Sequence, residues 1–283
     1  MTLLVFGESG QLARELGRAG GVTCLSRAQA DLTDPEACAA MIRAHAPAGV
    51  INAAAFTDVD RAESDEALAT RINGAAPGAM ARACAGLGIP FVTVSTDYVF
   101  DGSGSAPWAP ADRPAPLNAY GRSKLAGERL VLDAGGAAVV LRTSWVVSAH
   151  GRNFVRTMLR LGRERDHLAV VADQIGGPTP ARALAGACLV IAQTLRDHPG
   201  HRGIHHFSGT PDISWTGFAR AIFDQAGLAV RVGDIPTSDY PTPARRPLNS
   251  RLDCGATLAA FGLARPDWRS GLRDILDELE AAT

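Results

Sequence analysis

Leu3-Leu4-Val5-Phe6-Gly7-Glu8-Ser9-Gly10-Gln11-Leu12-Ala13 is the stretch that decides the fold. Four apolar residues make a short buried strand, two glycines three apart make a tight turn, and a helix is expected over 10–19. In such a strand–turn–helix unit the first glycine permits the turn and the second lets a diphosphate approach backbone N–H groups. A small third residue, here Ala13, lets helix and strand pack closely. Glycine is 30 of 283 residues, so the spacing Gly-x-x-Gly-x-x-Ala alone is a weak signal. Its place between the first strand and the first helix makes it a specific one, pointing to a dinucleotide.

Working outward, apolar runs at 2–6, 22–25, 49–54, 90–95 and 137–143 are rich in Val, Ile, Leu and Ala and read as buried parallel strands. Between them 10–19, 34–45, 62–87 and 119–134 carry the Ala, Leu, Arg and Glu content of helices. Asp34-Pro35-Glu36 is a helix start, with Asp34 as N-cap and Pro35 in the first turn. The alternation predicts an α/β fold: a Rossmann-type, doubly wound parallel sheet with right-handed crossovers, occupying 1–145. Beyond it the pattern loosens. Helices are expected near 153–163, 180–196, 214–227 and 269–281, with extended pieces at 168–171 and 204–207 and Pro/Gly clusters at 176–180 and 236–247. Residues 146–283 therefore read mainly as a smaller substrate-binding part, with some segments returning to the first domain, packed where open α/β sheets bind ligands.

Composition excludes several classes. With 46% hydrophobic residues, 20% charged and a formal net charge of −1, the chain has material for a full core. It lacks the basic excess of a nucleic-acid binder. No apolar run reaches the roughly 18 residues of a membrane helix, and Met1–Phe6 lacks a signal peptide's layout. Cys24, Cys38, Cys84, Cys188 and Cys254 are scattered, odd in number and without metal-like spacing. A reducing, cytoplasmic setting is expected.

Of 28 basic residues, 27 are arginine and one is Lys124. A coding bias toward arginine explains the imbalance, and a lysine surviving it marks either a leftover or a place where an ammonium is needed. Its neighbours favour the second. Tyr120-Gly121-Arg122-Ser123-Lys124 puts a phenol and the ammonium on one helical face. With three tyrosines, the lone lysine falls four after one of them by accident in roughly 3 of 283 placements, about one per cent. A phenol of pKa about 10 is a poor proton donor near neutrality, and a nearby ammonium lowers that pKa. Thr96, at the end of the fourth strand in Val94-Ser95-Thr96-Asp97-Tyr98, adds a hydroxyl that can polarise a carbonyl.

Strand two ends in Leu25-Ser26-Arg27, about twenty residues after Gly7. An acidic residue there suits the ribose 2′-hydroxyl of NADH, and an arginine suits a 2′-phosphate, so NADPH is the expected cofactor, with NADH open. A solvated surface arginine is the alternative. Asp31 and Leu32 fall where an adenine-contacting pair would lie. Asn52-Ala53-Ala54-Ala55-Phe56-Thr57 ends strand three with small residues that leave room for cofactor. The set expected to hold it is Gly7, Gly10, Gln11, Leu12, Arg27, Asp31, Leu32, Ala54, Ala55, Thr57, Tyr120 and Lys124.

These segments together resemble the extended short-chain dehydrogenase/reductase family, and within it the dTDP-4-dehydrorhamnose reductases. The likeness runs nearly end to end, through Gly10-Gln11-Leu12, Asn52–Ala55, Ser95–Phe100, Pro116–Gly121, Arg142–Val146 and Thr242–Ser250. The resemblance implies NAD(P)H-dependent reduction of the C4 ketone of a dTDP-sugar. In that chemistry Thr96 and Tyr120 bind the ketone oxygen, Tyr120 donates the proton, and Lys124 holds the nicotinamide ribose and tunes Tyr120. It also places Thr96, Asp97, Tyr120 and Trp145 against the substrate. A core aromatic at a strand end is the other reading of Trp145. Related dehydratases follow the threonine with Asp-Glu; here Tyr98 follows Asp97, so elimination is not expected. Another nucleotide-sugar 4-ketoreductase stays open, as does a non-catalytic NADP(H)-binding regulatory subunit, against which intact Thr96, Tyr120 and Lys124 argue.

Arg245 and Arg246 could clamp a diphosphate or make ordinary salt bridges, and both readings stand. His205 and His206, adjacent on an extended stretch, point to opposite faces and are assigned no shared metal. Some relatives pair through acidic residues bridged by a divalent metal. Glu15 is present here, but Arg182 stands where a second acid is expected. No metal is therefore expected, a metal-bridged dimer is not favoured, and monomer and homodimer both remain open.

Overall fold

The computed structural model describes residues 2–281. Its first half alternates as β1 (Leu3–Phe6), α1 (Gln11–Ala19), β2 (Val22–Leu25), α2 (Pro35–His45) and β3 (Val50–Asn52). There follow α3 (Val59–Ser64), α4 (Glu66–Thr70), α5 (Ala76–Leu87), β4 (Phe91–Thr96), α6 (Ala119–Asp133) and β5 (Ala138–Thr143). A sixth strand, Gly203–His206, joins from the second half of the chain. The sheet is parallel throughout and ordered Gly203–His206, β5, β4, β3, β1, β2. Strand order reverses at β1, so the crevice beyond the carboxyl ends of β1 and β3 is the topological switch point, where such sheets bind ligands.

Both faces of the sheet are covered, which is why its strands read as largely apolar runs. Phe6, Val50, Phe91 and Val140 pack on one side with Ile42 of α2 and Met80 of α5. Val5, Ile51, Val92 and Leu141 pack on the other with Leu12 and Leu16 of α1 and with Leu184, Cys188 and Ile191 of helix Ala181–Asp197. Each of these strand side chains is at most 1% exposed, so every one contributes about 1.5–3 kcal/mol of burial. A third core gathers Val155, Met158, Phe218, Ile222, Trp268 and Leu272 from helices Phe154–Glu164, Trp215–Gln225 and Trp268–Ala281. A parallel strand pair, His167–Val171 with Arg231–Ile235, completes that part.

The helix expected over 62–87 is not continuous. It breaks at Asp65, and between α4 and α5 the residues Arg71–Ala75 form one wide, i→i+5 turn. Pro77 supplies the reason: in an α-helix its ring would strike the carbonyl of Asn73, four residues back, and widening the turn avoids this. The freed Asn73 carbonyl faces α6, where a Cβ at Gly127 would come within 2.1 Å of it. Among the described residues no helix is long and apolar enough to cross a membrane, and all five cysteines are free.

Candidate active site

The glycine turn lies at the switch point. Gly7 sits at φ +115°, in the region that favours glycine, with Ala13 and Ala54 at contact distance, 3.4 and 3.5 Å, from where a Cβ would lie. Gly10 is the N-cap of α1 and offers no side-chain cap; a Cβ built on it would meet nothing within 4 Å. The first N–H groups of a nine-residue helix thus face an open cradle with no acidic residue in the first turn, which suits a diphosphate. Gln11 contributes its backbone there, because its side chain is engaged elsewhere. Its Nε2 donates to the Val146 carbonyl (3.3 Å), and its Oε1 accepts from Ser148 Oγ and Asn153 Nδ2 (both 2.9 Å). Leu12 is buried in the core.

Around the cradle, Arg27 is 81% exposed on its side chain and lies 3.5 Å from Asp31, a weakly held pair whose guanidinium is free to turn to another anion. Asp31 accepts from the Thr33 amide, which chiefly holds its carboxyl below the usual range. Leu32 is buried; Ala54 and Ala55 are half-buried and Thr57 exposed. Asn52 orders this segment through the Ala54 amide (3.3 Å) and Thr93 (3.3 Å).

Thr96 and Asp97 stand at the carboxyl end of β4, and Tyr120 and Lys124 on the first turns of α6. Asn118 caps α6, accepting from the Gly121 amide at 2.8 Å. Gly121 must be glycine because a Cβ would lie 2.2 Å from the Tyr98 carbonyl. That close approach brings Tyr120 edge-on to the Tyr98 ring (5.8 Å) and its hydroxyl near that of Thr96, which itself donates to Asp97 Oδ1 at 3.1 Å. Burial, then the charge of Asp97, push the Tyr120 phenol up to about 12, with Thr96 opposing. Asp97 is 2% exposed, and burial lifts it to about 7 against the pull of Ser250 and Thr96. Its Oδ2 is buried with no hydrogen-bond partner.

Lys124 is buried and donates to the Val94 carbonyl at 2.7 Å. Burial pulls its ammonium down to about 8, with Glu128 opposing. The structure therefore brings Thr96, Asp97 and Tyr120 into contact and places Lys124 one helical turn further on, bonded to β4. The proton on Tyr120 is held by burial and by Asp97.

Trp145 follows β5 at φ +49°, an uncommon backbone for a bulky residue. Its ring stacks on Trp215 (3.5 Å between centroids, 10° between planes), and a Cβ at Gly176 would come within 3.0 Å of it. It is half-buried, at a surface rather than inside a core.

Several functional neighbours escaped the sequence. Asn73, in the wide turn, bonds the Phe56 amide and carbonyl and the Ser123 hydroxyl, tying the segment after β3 to α6. Trp215 has no local signal, since its partner is 70 residues away. Glu128 had one: it continues the four-residue spacing of Tyr120 and Lys124. Arg246 is held by both oxygens of Asp60 (2.6 and 2.8 Å), so its guanidinium makes a salt bridge, while Arg245 is exposed. His205 bonds the His201 carbonyl and His206 the Trp108 carbonyl, in different directions.

Among the described residues, Glu15, His150 and Glu278 form the one cluster with metal-ligand spacing. Arg18 lies 2.6 Å from Glu278, and Arg182 lies 3.6 and 3.8 Å from Glu15 and Glu278. Two guanidiniums already neutralise the two carboxylates, a donor set that does not suit a divalent cation.

The RmlD substrate binding domain family matches residues 1–281. The dTDP-4-dehydrorhamnose reductase of Burkholderia thailandensis is 45% identical, covering 98% of this chain and 100% of that protein. The chain belongs to the dTDP-4-dehydrorhamnose reductase family. The reductase of Escherichia coli K12 is 38% identical over 100% of this chain and 99% of its own. Among solved structures, the Clostridium acetobutylicum reductase superposes with a TM-score of 0.92 at 35% identity, covering 99% of this chain and all of that one. The Bacillus anthracis reductase, in complex with NADP, gives 0.90 at 34%, covering 98% and 100%. MoeE5 in complex with UDP-glucuronic acid and NAD, at 18% identity and a TM-score of 0.83 over the full length of both chains, shares the fold.

Proposed function

We propose that this chain reduces the C4 ketone of dTDP-4-dehydro-β-L-rhamnose to dTDP-β-L-rhamnose with NADPH. The observation that carries the chemistry is the pair of neighbouring hydroxyls, Thr96 at the end of β4 and Tyr120 on the first turn of α6, beside the switch-point cradle. NADPH, when bound, supplies the hydride to the ketone carbon. The open space at Gly10 and the turn at Gly7 fit its diphosphate, Arg27 its 2′-phosphate, and Lys124 its ribose hydroxyls.

The rest belongs to the chain's own side chains. Thr96 and Tyr120 donate hydrogen bonds to the ketone oxygen, where negative charge develops, and this supplies the electrostatic part of the rate enhancement. Tyr120 gives up its proton to that oxygen. A phenol near 12 is fully protonated at neutral pH and so ready to donate, and the alkoxide that forms is basic enough to take the proton. Asp97, with an unsatisfied buried oxygen, accepts from a sugar hydroxyl, and the Trp145 ring, held by Trp215, offers the sugar an apolar face. A cytoplasmic setting agrees with five free thiols.

NADPH oxidation followed by absorbance with the dTDP-4-keto sugar tests the reading, with the product identified by NMR. Tyr120→Phe should lower kcat by about 10²–10⁴-fold. A product epimeric at C4 would indicate a different 4-ketoreductase, and no turnover by wild type would indicate an NADP(H)-binding regulatory subunit.

A further inference from the structure

Below the catalytic turns of α6 lies a fully buried ionic assembly. Glu128 and Arg142 are 3% and 0% exposed. Arg142 Nε and Nη2 grip the Glu128 carboxylate at 2.9 and 2.6 Å, a two-pronged geometry. Ser95 Oγ donates to Glu128 Oε1 at 2.5 Å. The guanidinium lies over the Phe100 ring at 4.9 Å, and its Nη1 reaches the Pro110 carbonyl and His206 at 3.4 Å. Three elements thus meet on one carboxylate: α6 through Glu128, β4 through Ser95 and β5 through Arg142.

An apolar trio of similar volume would fill this space at no loss of stability, because taking two charges out of water is expensive. What an apolar trio would not do is fix rotation and register. Tyr120, Lys124 and Glu128 lie at successive four-residue steps on one helical face, and Ser95 is the residue before Thr96. A pin at Glu128–Ser95 therefore sets where Tyr120 stands against Thr96 and where Lys124 reaches Val94. We propose that Glu128 is a positioning residue for the catalytic pair, its carboxylate pinning α6 to β4 and β5 so that Tyr120 faces Thr96 and Lys124 reaches the Val94 carbonyl.

A second consequence is electrostatic. Glu128 is the carboxylate that keeps the proton on Lys124 against burial. The other charged groups around α6 are occupied or further along it. Arg142 from β5 is neutralised by Glu128, Asp97 sits beside Tyr120, Glu63 of α3 accepts from the Ala119 amide, and Glu66 of α4 pairs with Arg122.

The inference rests on the reductase reading, and the chain offers a way to test the two separately. Lys124 is its one lysine, so protein grown on lysine labelled with ¹³C at Cε gives a single titrating signal with or without turnover. In Glu128→Gln that midpoint should move to lower pH than in wild type. At saturating NADPH, kcat should fall by about 10–100-fold, with the sugar-nucleotide KM changed by less than about twofold. Glu128→Gln leaves Arg142 buried without its partner, so Glu128→Gln/Arg142→Met, which removes both charges, is measured beside it. A folded variant with an unmoved midpoint overturns the proposal, whatever its kcat. So does a moved midpoint with wild-type kcat. Wild type without turnover overturns the function and leaves the lysine titration to judge the pin.

Discussion

Replacing Asp97 with asparagine should stabilise the protein at neutral pH while impairing it as an enzyme. Burial lifts this carboxyl from 3.8 to about 7, so between those values the folded chain keeps a proton that the unfolded chain has lost. Stability contributed by the group is therefore highest at low pH, falls as pH rises through that window, and reaches its full penalty above about 7. A shift of ~3 units corresponds to ~4 kcal/mol. Asparagine keeps the shape and removes the charge but adds amide donors to satisfy, so a net gain of about 2–3 kcal/mol is expected at pH 8. For a chain of this length unfolding entropy is about 0.6 kcal/mol/K, which converts the gain to ~3–5 °C in Tm. Thermal melts of wild type and Asp97→Asn at pH 8 and pH 4.5 decide it. At pH 4.5 Asp97 is protonated in the folded state but still mostly ionised in the unfolded state, so the penalty falls to ~1 kcal/mol and the gap should close to about zero or reverse. On the functional side, loss of a charged acceptor should raise the sugar-nucleotide KM by about 10–100-fold. An asparagine variant no more stable than wild type at pH 8, or a gap equal at both pH values, would refute the claim that Asp97 is a buried, penalised carboxylate.

Two further outcomes follow from the same geometry. Arg27→Ala should weaken NADPH binding by about 5–30-fold and leave NADH unchanged, read as Kd by fluorescence titration; equal affinities that the substitution does not alter would remove the 2′-phosphate contact. Gly127→Ala puts a Cβ 2.1 Å from the Asn73 carbonyl. It should cost about 1–3 kcal/mol in urea unfolding as α6 is pushed off the wide turn, and a wild-type midpoint would show that the contact is slack.

The strands that carry the site were legible because a parallel sheet covered on both faces is buried along its length and mostly apolar, as β1, β3, β4 and β5 are, with their polar residues lying mainly toward the carboxyl ends. Strand Arg231–Ile235 was not, since it is paired with one neighbour and Gly233 and Asp234 dilute its pattern. The break in 62–87 could have been read from Pro77, whose ring forbids a regular turn before it. At the candidate site, the placement of Tyr120 and Lys124 on one helix was legible because helix spacing is a local property. Pairings made by the fold were not. Asp60 meets Arg246 across 186 residues and Glu128 meets Arg142 from helix to strand. A glutamate on an amphipathic helix and an arginine in a strand each look like surface residues until the third dimension joins them.

The lone lysine illustrates what such joining adds. A chain that uses arginine 27 times has kept an ammonium at position 124, 5% exposed. A guanidinium there would bring five donors, a planar fork and a charge it cannot shed, into a place where the sheet offers the Val94 carbonyl. An ammonium needs fewer partners, and held at about 8 it is still mostly charged at neutral pH. One of its three donors goes to β4, which under the proposed function leaves two for the cofactor's ribose hydroxyls. Under the proposed mechanism a buried cation one helical turn from Tyr120 would stabilise the phenolate left when the phenol gives up its proton, and strongly so because little water screens it. Stabilisation that grows along the reaction is what raises kcat, and an arginine that failed to fit could not supply it.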